Sequence, residues 1–219
     1  MLSIIIPTKN EPYLQQLIDD IGGNVKTEHE IIVVDKSATT PVVSGARLIR
    51  QKSDGLGNAF VEGLKEANGD MVVIMDGDGS HDPAYISEML GHSKDYDIVV
   101  GSKFADGGSS EDTASRAIVS KAFGSAIGAL LGLKIKDPMS GFALFRRSVF
   151  NGLDLRPRGY KIVLEIMYKS SKRGARIKEI AIRFQKRKAG ESKVGFNISG
   201  LKEAYRIFLL ALSLKTGKG

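Results

Sequence analysis

Cysteine is absent from the 219-residue chain, so neither a disulfide framework nor a thiolate metal site can form. That suits a reducing compartment. Tryptophan is absent too, aromatic residues make up 7%, and no nucleic-acid-binding module is recognisable, so no nucleic acid is expected as a partner. Histidine is scarce: His29, His81 and His92 are the three, and each reads as structural rather than catalytic. Long apolar runs are missing. The richest, residues 122–133 and 207–214, are too short to span a bilayer. Ile4-Ile5-Ile6 is too short for a secretory leader and has no basic lead.

The chain carries a net charge of +7, distributed unevenly. Residues 1–155 hold 15 Lys/Arg against 21 Asp/Glu, a net of −6, and residues 156–219 hold 17 against 4, a net of +13. The basic part suits an anionic membrane surface or a phosphorylated substrate. The charges at Lys169, Lys172, Arg173 and Arg176 also read simply as a solvated face.

The acidic part contains the central motif. Met71-Val72-Val73-Ile74-Met75 reads as a buried strand of a parallel sheet. It stops at Asp76-Gly77-Asp78-Gly79-Ser80. Two carboxylates one residue apart repel unless a cation joins them. Hard oxygen ligands suit Mg2+ or Mn2+, and magnesium takes only one or two protein carboxylates beside substrate phosphate. The motif therefore reads as a holder for a metal-diphosphate at the carboxyl end of a strand, where open α/β sheets bind ligands. A plain polar turn is the alternative. An EF-hand loop fits worse, because His81 stands at its glycine position and Ser87 at its bidentate glutamate position.

Strands alternate with helices along the chain, which predicts one mostly parallel α/β sheet with no internal repeat. Strands are expected over residues 2–7, 31–35, 46–50, 71–75, 97–101, 143–145 and 177–184. Asn10 and Pro12 start a helix that Gly22-Gly23 should end. Asp82-Pro83 should open another. Gly55-x-Gly57 begins a dinucleotide fingerprint but Phe60 breaks it. Residues 113–132 form a helix with Arg116 and Ser120 on one face and a Gly124, Gly128, Gly132 stripe for packing on the sheet. Residues 161–172 form an amphipathic helix. The tail, 201–214, places Leu201, Ala204, Tyr205, Phe208 and Leu212 on one face, for docking on the domain or for a membrane surface.

SIIIPTKNE, IIVVDKSA, GLGNAFVEGLKEANGD, MDGDGSHDP, VVGSKFADGG, DPMSGFALFRR and RKAGESKV together resemble, in that order, family 2 glycosyltransferases of the dolichol-phosphate mannose synthase type. The resemblance covers nearly residues 1–195. It implies a GT-A fold over 1–195, with 196–219 as a helical tail. It places Pro7 and Glu11 beside the nucleotide, Asp35 on the base or ribose, and Asp76, Asp78 and Ser80 at the metal. Lys103, Arg116 and Ser120 would line the acceptor-phosphate side, and Arg187 with the 190–193 loop, Lys193 included, would close over the phosphates. The chain departs from the family at Lys36, where a second acidic residue is usual. It has Lys9 where an aromatic often stands, and Lys103 in place of arginine.

The implied reaction moves a hexose, mannose first among candidates, from GDP-mannose or a UDP-hexose to a polyprenyl phosphate. The implied location is the cytoplasm, peripheral on the membrane face. A phosphate acceptor is already an anion near neutral pH and needs no general base. One in-line displacement would invert the anomeric centre. A hydroxyl acceptor would need a carboxylate base, for which Asp137 is the candidate. A non-catalytic nucleotide-sugar binder is the third reading, motivated by Lys36 and Lys9.

Overall fold

The computed structural model describes residues 1–157, 161–188 and 198–217. In chain order the elements are β1 (Leu2–Thr8), α1 (Leu14–Asn24), β2 (His29–Asp35), β3 (Arg47–Arg50), α2 (Leu56–Glu66), β4 (Met71–Ile74), α3 (Tyr85–His92), β5 (Ile98–Ser102), β6 (Ser109–Ser110), α4 (Ala114–Leu131), β7 (Ala143–Arg146), α5 (Ile162–Ser171), β8 (Ile177–Ala181), β9 (Arg183–Phe184) and α6 (Ile198–Lys215).

Seven strands form one sheet in the order β3-β2-β1-β4-β7-β5-β8. All neighbours pair parallel except β7, which runs antiparallel between β4 and β5. Alternation along the strands divides the core into two layers. Ile4, Ile6, Val33 and Val73 face α1 and α3, whereas Ile5, Ile32, Val34 and Val72 face α2 and α5. Gly63 lets α2 lie close to the sheet: a Cβ there would fall 2.6 Å from Ile5 Cγ2. A third apolar cluster joins α4 and α6 to Leu164 and Tyr168 of α5.

The strand order reverses beside β1: β2 and β3 lie on one side of it, β4 on the other. In open α/β sheets that reversal leaves a crevice at the carboxyl ends. Thr8 and Asp35 are register partners at this end, and the acidic motif follows β4 there. Because β7 is antiparallel, the 137–142 turn that precedes it arrives at the same end.

Several boundaries differ from the sequence reading. Helix α1 passes through Gly22 and Gly23 to Asn24; no neighbour lies within 4 Å of a Cβ at either glycine. Helix α3 begins two residues beyond Pro83, and the Asp82 carboxylate instead accepts the Ala84 N–H at 2.9 Å. Gly124 and Gly128 pack on Pro138 and Met139 and on the backbone at Leu133 and Ile135, not on the sheet. Helix α5 is buried almost all round rather than on one stripe. The 177–184 segment divides into β8 and β9, and β9 pairs with β6 as a separate ladder. On α6 the buried face is Ile207, Leu210, Ala211 and Leu214, while Tyr205 and Phe208, read from sequence as docking on the domain or on a membrane surface, are exposed.

Candidate functional site

The acidic motif turns sharply out of β4. Gly79 takes a positive φ of 76°, and a Cβ there would sit 2.7 Å from both Tyr13 Cε1 and Lys188 Cγ. Only glycine fits that pinch. Asp78 is 4% exposed. Its Oδ1 accepts the Ser80 N–H at 3.0 Å, and its Oδ2 pairs with Arg187 Nε at 3.0 Å. Asp76 is walled by Gly141, where a Cβ would approach its Oδ2 to 3.4 Å. Burial pushes the Asp76 carboxyl above the usual range, and the Asp78 charge adds to this. His81, Lys161 and Arg187 pull it back without cancelling the effect.

His81 is buried and stacks on Phe142 at 5.0 Å with its edge toward Phe184. Its Nδ1 accepts the Asp76 N–H at 3.4 Å, and burial pushes its pKa down against the pull of Asp76 and Asp78. It serves as packing beneath the motif.

The donor set fits a hard divalent cation. Asp76 and Asp78 supply carboxylates, and the buried Ser80 hydroxyl has no hydrogen-bond partner among the described residues. No cluster of three or more His, Asp or Glu side chains forms a complete metal cage among the described residues. Magnesium held through one or two carboxylates and a substrate diphosphate needs none. The Thr8 hydroxyl, at the end of β1, is also buried and unpartnered among the described residues. A Cβ on Gly77 would lie 3.6 Å from Thr8 Cβ and 3.7 Å from Glu11 Cγ, so Thr8 and Glu11 flank the motif. Sequence reading passed over Thr8; its orphaned hydroxyl is visible only in three dimensions.

Pro7 is buried within β1. Asp35 is fully buried, and its oxygens accept from the Ser37 N–H at 3.1 Å, the Ser37 hydroxyl at 2.5 Å and Arg50. The carboxylate expected at the base or ribose is thus engaged inside the protein, and its partner Arg50 is 46% exposed. Lys36 turns to the following loop, where its Nζ donates to Lys52 O and Ser53 O and pairs with Asp54 at 3.2 Å.

On the other flank, Lys103 Nζ donates to Asp112 Oδ2 at 2.9 Å and lies 4.4 Å from the Phe184 ring centroid. Arg116 Nε is 3.7 Å from Asp112 Oδ1. Burial alone would raise the Asp112 carboxyl, but Lys103, the Ser110 hydroxyl and Arg116 outweigh it and hold it below the usual range. Ser120 follows one turn after Arg116 on α4. Asp112 is a second residue that sequence reading missed. Asp137 is 5% exposed, and burial raises its carboxyl against the pull of Lys103 and Lys161. Lys161, also missed, donates to Met139 O at 2.9 Å and so pins the 137–142 turn.

Residues 183–188 join the two flanks. Glu111 accepts from Arg183 at 2.8 Å and from the Lys186 N–H at 3.0 Å. Further along, the Gln185 N–H reaches Ser80 O and the Lys188 N–H reaches Asp78 O, both at 3.0 Å. The strap therefore runs from beside Asp112 to the acidic motif. Lys193 and the rest of its loop lie outside the described residues.

Fold and site together define a doubly wound α/β protein with an acidic motif at its switch point, the arrangement of GT-A glycosyltransferases. The chain belongs to glycosyl transferase family 2, whose family model matches residues 3–153. It is 34% identical to a dolichol-phosphate mannosyltransferase of Pyrococcus furiosus over 88% of this chain and 59% of that protein. It is 31% identical to an undecaprenyl-phosphate mannosyltransferase of Micrococcus luteus over 90% and 88% of the two chains. The chain thus spans about three-fifths of the Pyrococcus relative and most of the Micrococcus one. Among solved structures, glucosyl-3-phosphoglycerate synthase from Mycobacterium tuberculosis, crystallised with Mn2+, UDP-glucose and phosphoglyceric acid, superposes with a TM-score of 0.75. At 20% identity over 99% of this chain and 80% of that one, the likeness speaks for the fold alone.

Proposed function

We propose that this chain transfers a hexose, mannose first among candidates, from a nucleoside-diphosphate sugar to a polyprenyl phosphate. The names of the Pyrococcus and Micrococcus relatives support that pairing of sugar and lipid. The observation that carries it is the strap, which connects the acidic motif to a second cluster built on Lys103 and Arg116. One rim thus offers a place for a metal-bound diphosphate and, across the strap, cations for a second phosphate.

In this reading Asp76 and Asp78 hold Mg2+ or Mn2+, with the Ser80 hydroxyl beside them. The metal, when bound, supplies positive charge to the departing diphosphate. Arg187 sits where it can exchange the Asp78 carboxylate for a phosphate oxygen. Thr8 and Glu11 border the nucleotide end. Lys103 and Arg116 orient the acceptor phosphate, which attacks the anomeric carbon without a base. His81, packed between Phe142 and Phe184, takes no part in proton transfer in this reading.

Residues 1–195 would form the catalytic domain, with α6 as its docking tail. No helix among the described residues is long and apolar enough to cross a membrane. Helix α6 nevertheless has a second apolar stripe besides its buried one: Tyr205, Phe208 and Leu209 are 63%, 43% and 45% exposed. Ile118 and Val119 of α4 are 68% and 49% exposed. Exposed Lys121, Lys202, Arg206 and Lys215 stand on the same two helices, whose only acidic residue, Glu203, pairs with Arg206. An apolar stripe with cations beside it suits an anionic membrane surface on the cytoplasmic side.

The test is a transfer assay crossing GDP-mannose and UDP-glucose with a short polyprenyl phosphate, under Mg2+, Mn2+ or chelator. Metal-dependent mannosyl transfer to the lipid phosphate is expected. Transfer only to saccharide hydroxyls, or sugar-nucleotide binding with no turnover on any acceptor, would overturn the reading.

A further inference from the structure

Lys103 and Arg116 both turn to a single carboxylate. Asp112 Oδ2 receives Lys103 Nζ at 2.9 Å, and its Oδ1 lies 3.7 Å from Arg116 Nε. The side chains of Lys103 and Asp112 are 14% and 16% exposed, so this pair is less screened than a surface one. The Arg116 side chain is 40% exposed.

We propose that Asp112 is a specificity-determining residue for the acceptor, an internal counter-anion that releases Lys103 and Arg116 to a phosphate monoester and withholds them from a hydroxyl. This rests on the reading that those two cations receive the acceptor's phosphate. A phosphate monoester carries about −1.5 to −2 near pH 7 and three strong acceptor oxygens, which a single carboxylate does not match. A sugar hydroxyl is neutral and offers nothing to displace a charge-assisted hydrogen bond.

The surroundings suit an exchange. Asp112 lies two residues beyond the end of β6, whose ladder with β9 holds the segment in place. Its neighbour Glu111 is fastened to the strap through Arg183 and Lys186. The Ser110 hydroxyl donates to Asp112 Oδ2 at 3.0 Å and accepts the Asp112 N–H at 3.2 Å. Once the cations leave, the carboxylate keeps a donor and need not be stranded. Lys103 also has the Phe184 ring beneath it, which supports the ammonium during the exchange.

The experiment compares the full chain with Asp112→Asn and, as a second variant, Asp112→Ser. Binding of inorganic phosphate and of geranyl phosphate is measured by calorimetry, and the acceptor KM is measured with sugar nucleotide present. Both variants should bind the phosphates about fivefold to tenfold tighter, because a competing charge-assisted contact is gone. Acceptor KM should fall in parallel while the sugar-nucleotide KM stays put. A gain for geranyl phosphate and none for inorganic phosphate would locate the competition at the bound lipid headgroup; equal gains would locate it at the phosphate itself. Weaker or unchanged binding of both phosphates in folded variants overturns the proposal. So does loss of folding in both variants, which would make Asp112 a structural residue. If the unaltered chain transfers nothing to geranyl phosphate, the acceptor reading fails separately, and the phosphate titration still decides whether Asp112 competes for the cations.

Discussion

Arg187 Nε lies 3.0 Å from Asp78 Oδ2, so the strap closes on the same carboxylate that the acidic motif would offer to a cation. A cation bound at that oxygen would meet the like charge of the guanidinium and compete with it for the carboxylate. Replacing Arg187 with alanine should therefore tighten binding of Mn2+ alone, by about threefold to tenfold for a partly shielded pair. The same change should raise the sugar-nucleotide KM by about tenfold, because the diphosphate loses a charge-assisted contact. Calorimetry with Mn2+ and steady-state kinetics check both. Weakened metal binding would mean that Arg187 shapes Asp78 instead of competing for it.

Asp78→Asn should abolish metal-dependent transfer while leaving the fold in place, since the amide oxygen can still accept the Ser80 N–H that Asp78 Oδ1 accepts at 3.0 Å. The expected loss in kcat is at least about a hundredfold, the scale of removing one charge-stabilising group from an active site. Circular dichroism and a transfer assay at saturating metal separate the two effects. Full activity in a folded variant would remove the motif from the mechanism.

Asp137 separates the two enzyme readings. Burial raises its carboxyl, as would suit a base, and it feels the charges of Lys103 and Lys161. If the acceptor is a phosphate, Asp137→Asn should cost less than about tenfold in kcat, because no proton has to be removed. A hydroxyl acceptor would lose on the order of a hundredfold or more. Both acceptors should be run with the same variant.

The sequence displayed the sheet well where chemistry and periodicity agree. An unbroken apolar run ending in two aspartates could hardly be anything but a central strand meeting a polar edge, and β4 is that strand. Direction was not legible: Ala143-Leu144-Phe145 reads as a strand whichever way it runs, and only the tertiary fold makes β7 antiparallel. Asp35 illustrates a second limit. A carboxylate at a strand end does not show in sequence which partners hold it, here the Ser37 hydroxyl and Arg50. Asp112 was silent because a lone aspartate in a polar loop carries no pattern; its meaning comes from Lys103 and Arg116 arriving from either side.

The loop after β3 should show its own pH dependence. Glu62 of α2 accepts the Lys52 N–H at 2.8 Å and the Ser53 N–H at 2.9 Å, together with the Ser53 hydroxyl. Burial raises the carboxyl, and these donors with the Lys52 charge more than offset it, so its pKa is lowered. A carboxyl lowered on folding stabilises the native state above its unfolded pKa, and the contribution is lost as pH falls. Glu62→Gln should thus cost up to about 1 kcal/mol at pH 7, less whatever solvent screens, with the difference from the unaltered chain closing as pH falls below the ordinary glutamate range. Urea denaturation at pH 7 and below that range measures it; a pH-independent difference would assign the cost to packing.

Helix α6 carries two apolar stripes, and periodicity alone could not say which one docks. Ile207, Leu210, Ala211 and Leu214 are buried against α4 and α5, whereas Tyr205, Phe208 and Leu209 face outward. The two stripes should respond to opposite assays. Leu210→Ala removes buried methyl groups and should cost about 2 to 4 kcal/mol of stability, measured by denaturant unfolding. Replacing Tyr205, Phe208 and Leu209 together with serine should leave stability within about 1 kcal/mol, because those side chains give up little burial. The same triple variant should lose flotation with vesicles containing phosphatidylglycerol, and its transfer to vesicle-embedded polyprenyl phosphate should fall. Transfer to a detergent-dispersed short-chain acceptor should persist, because Asp76, Asp78, Lys103 and Arg116 are untouched. Unchanged flotation would show that the outward stripe does not bind the membrane, and the cations beside it would then read as a solvated face.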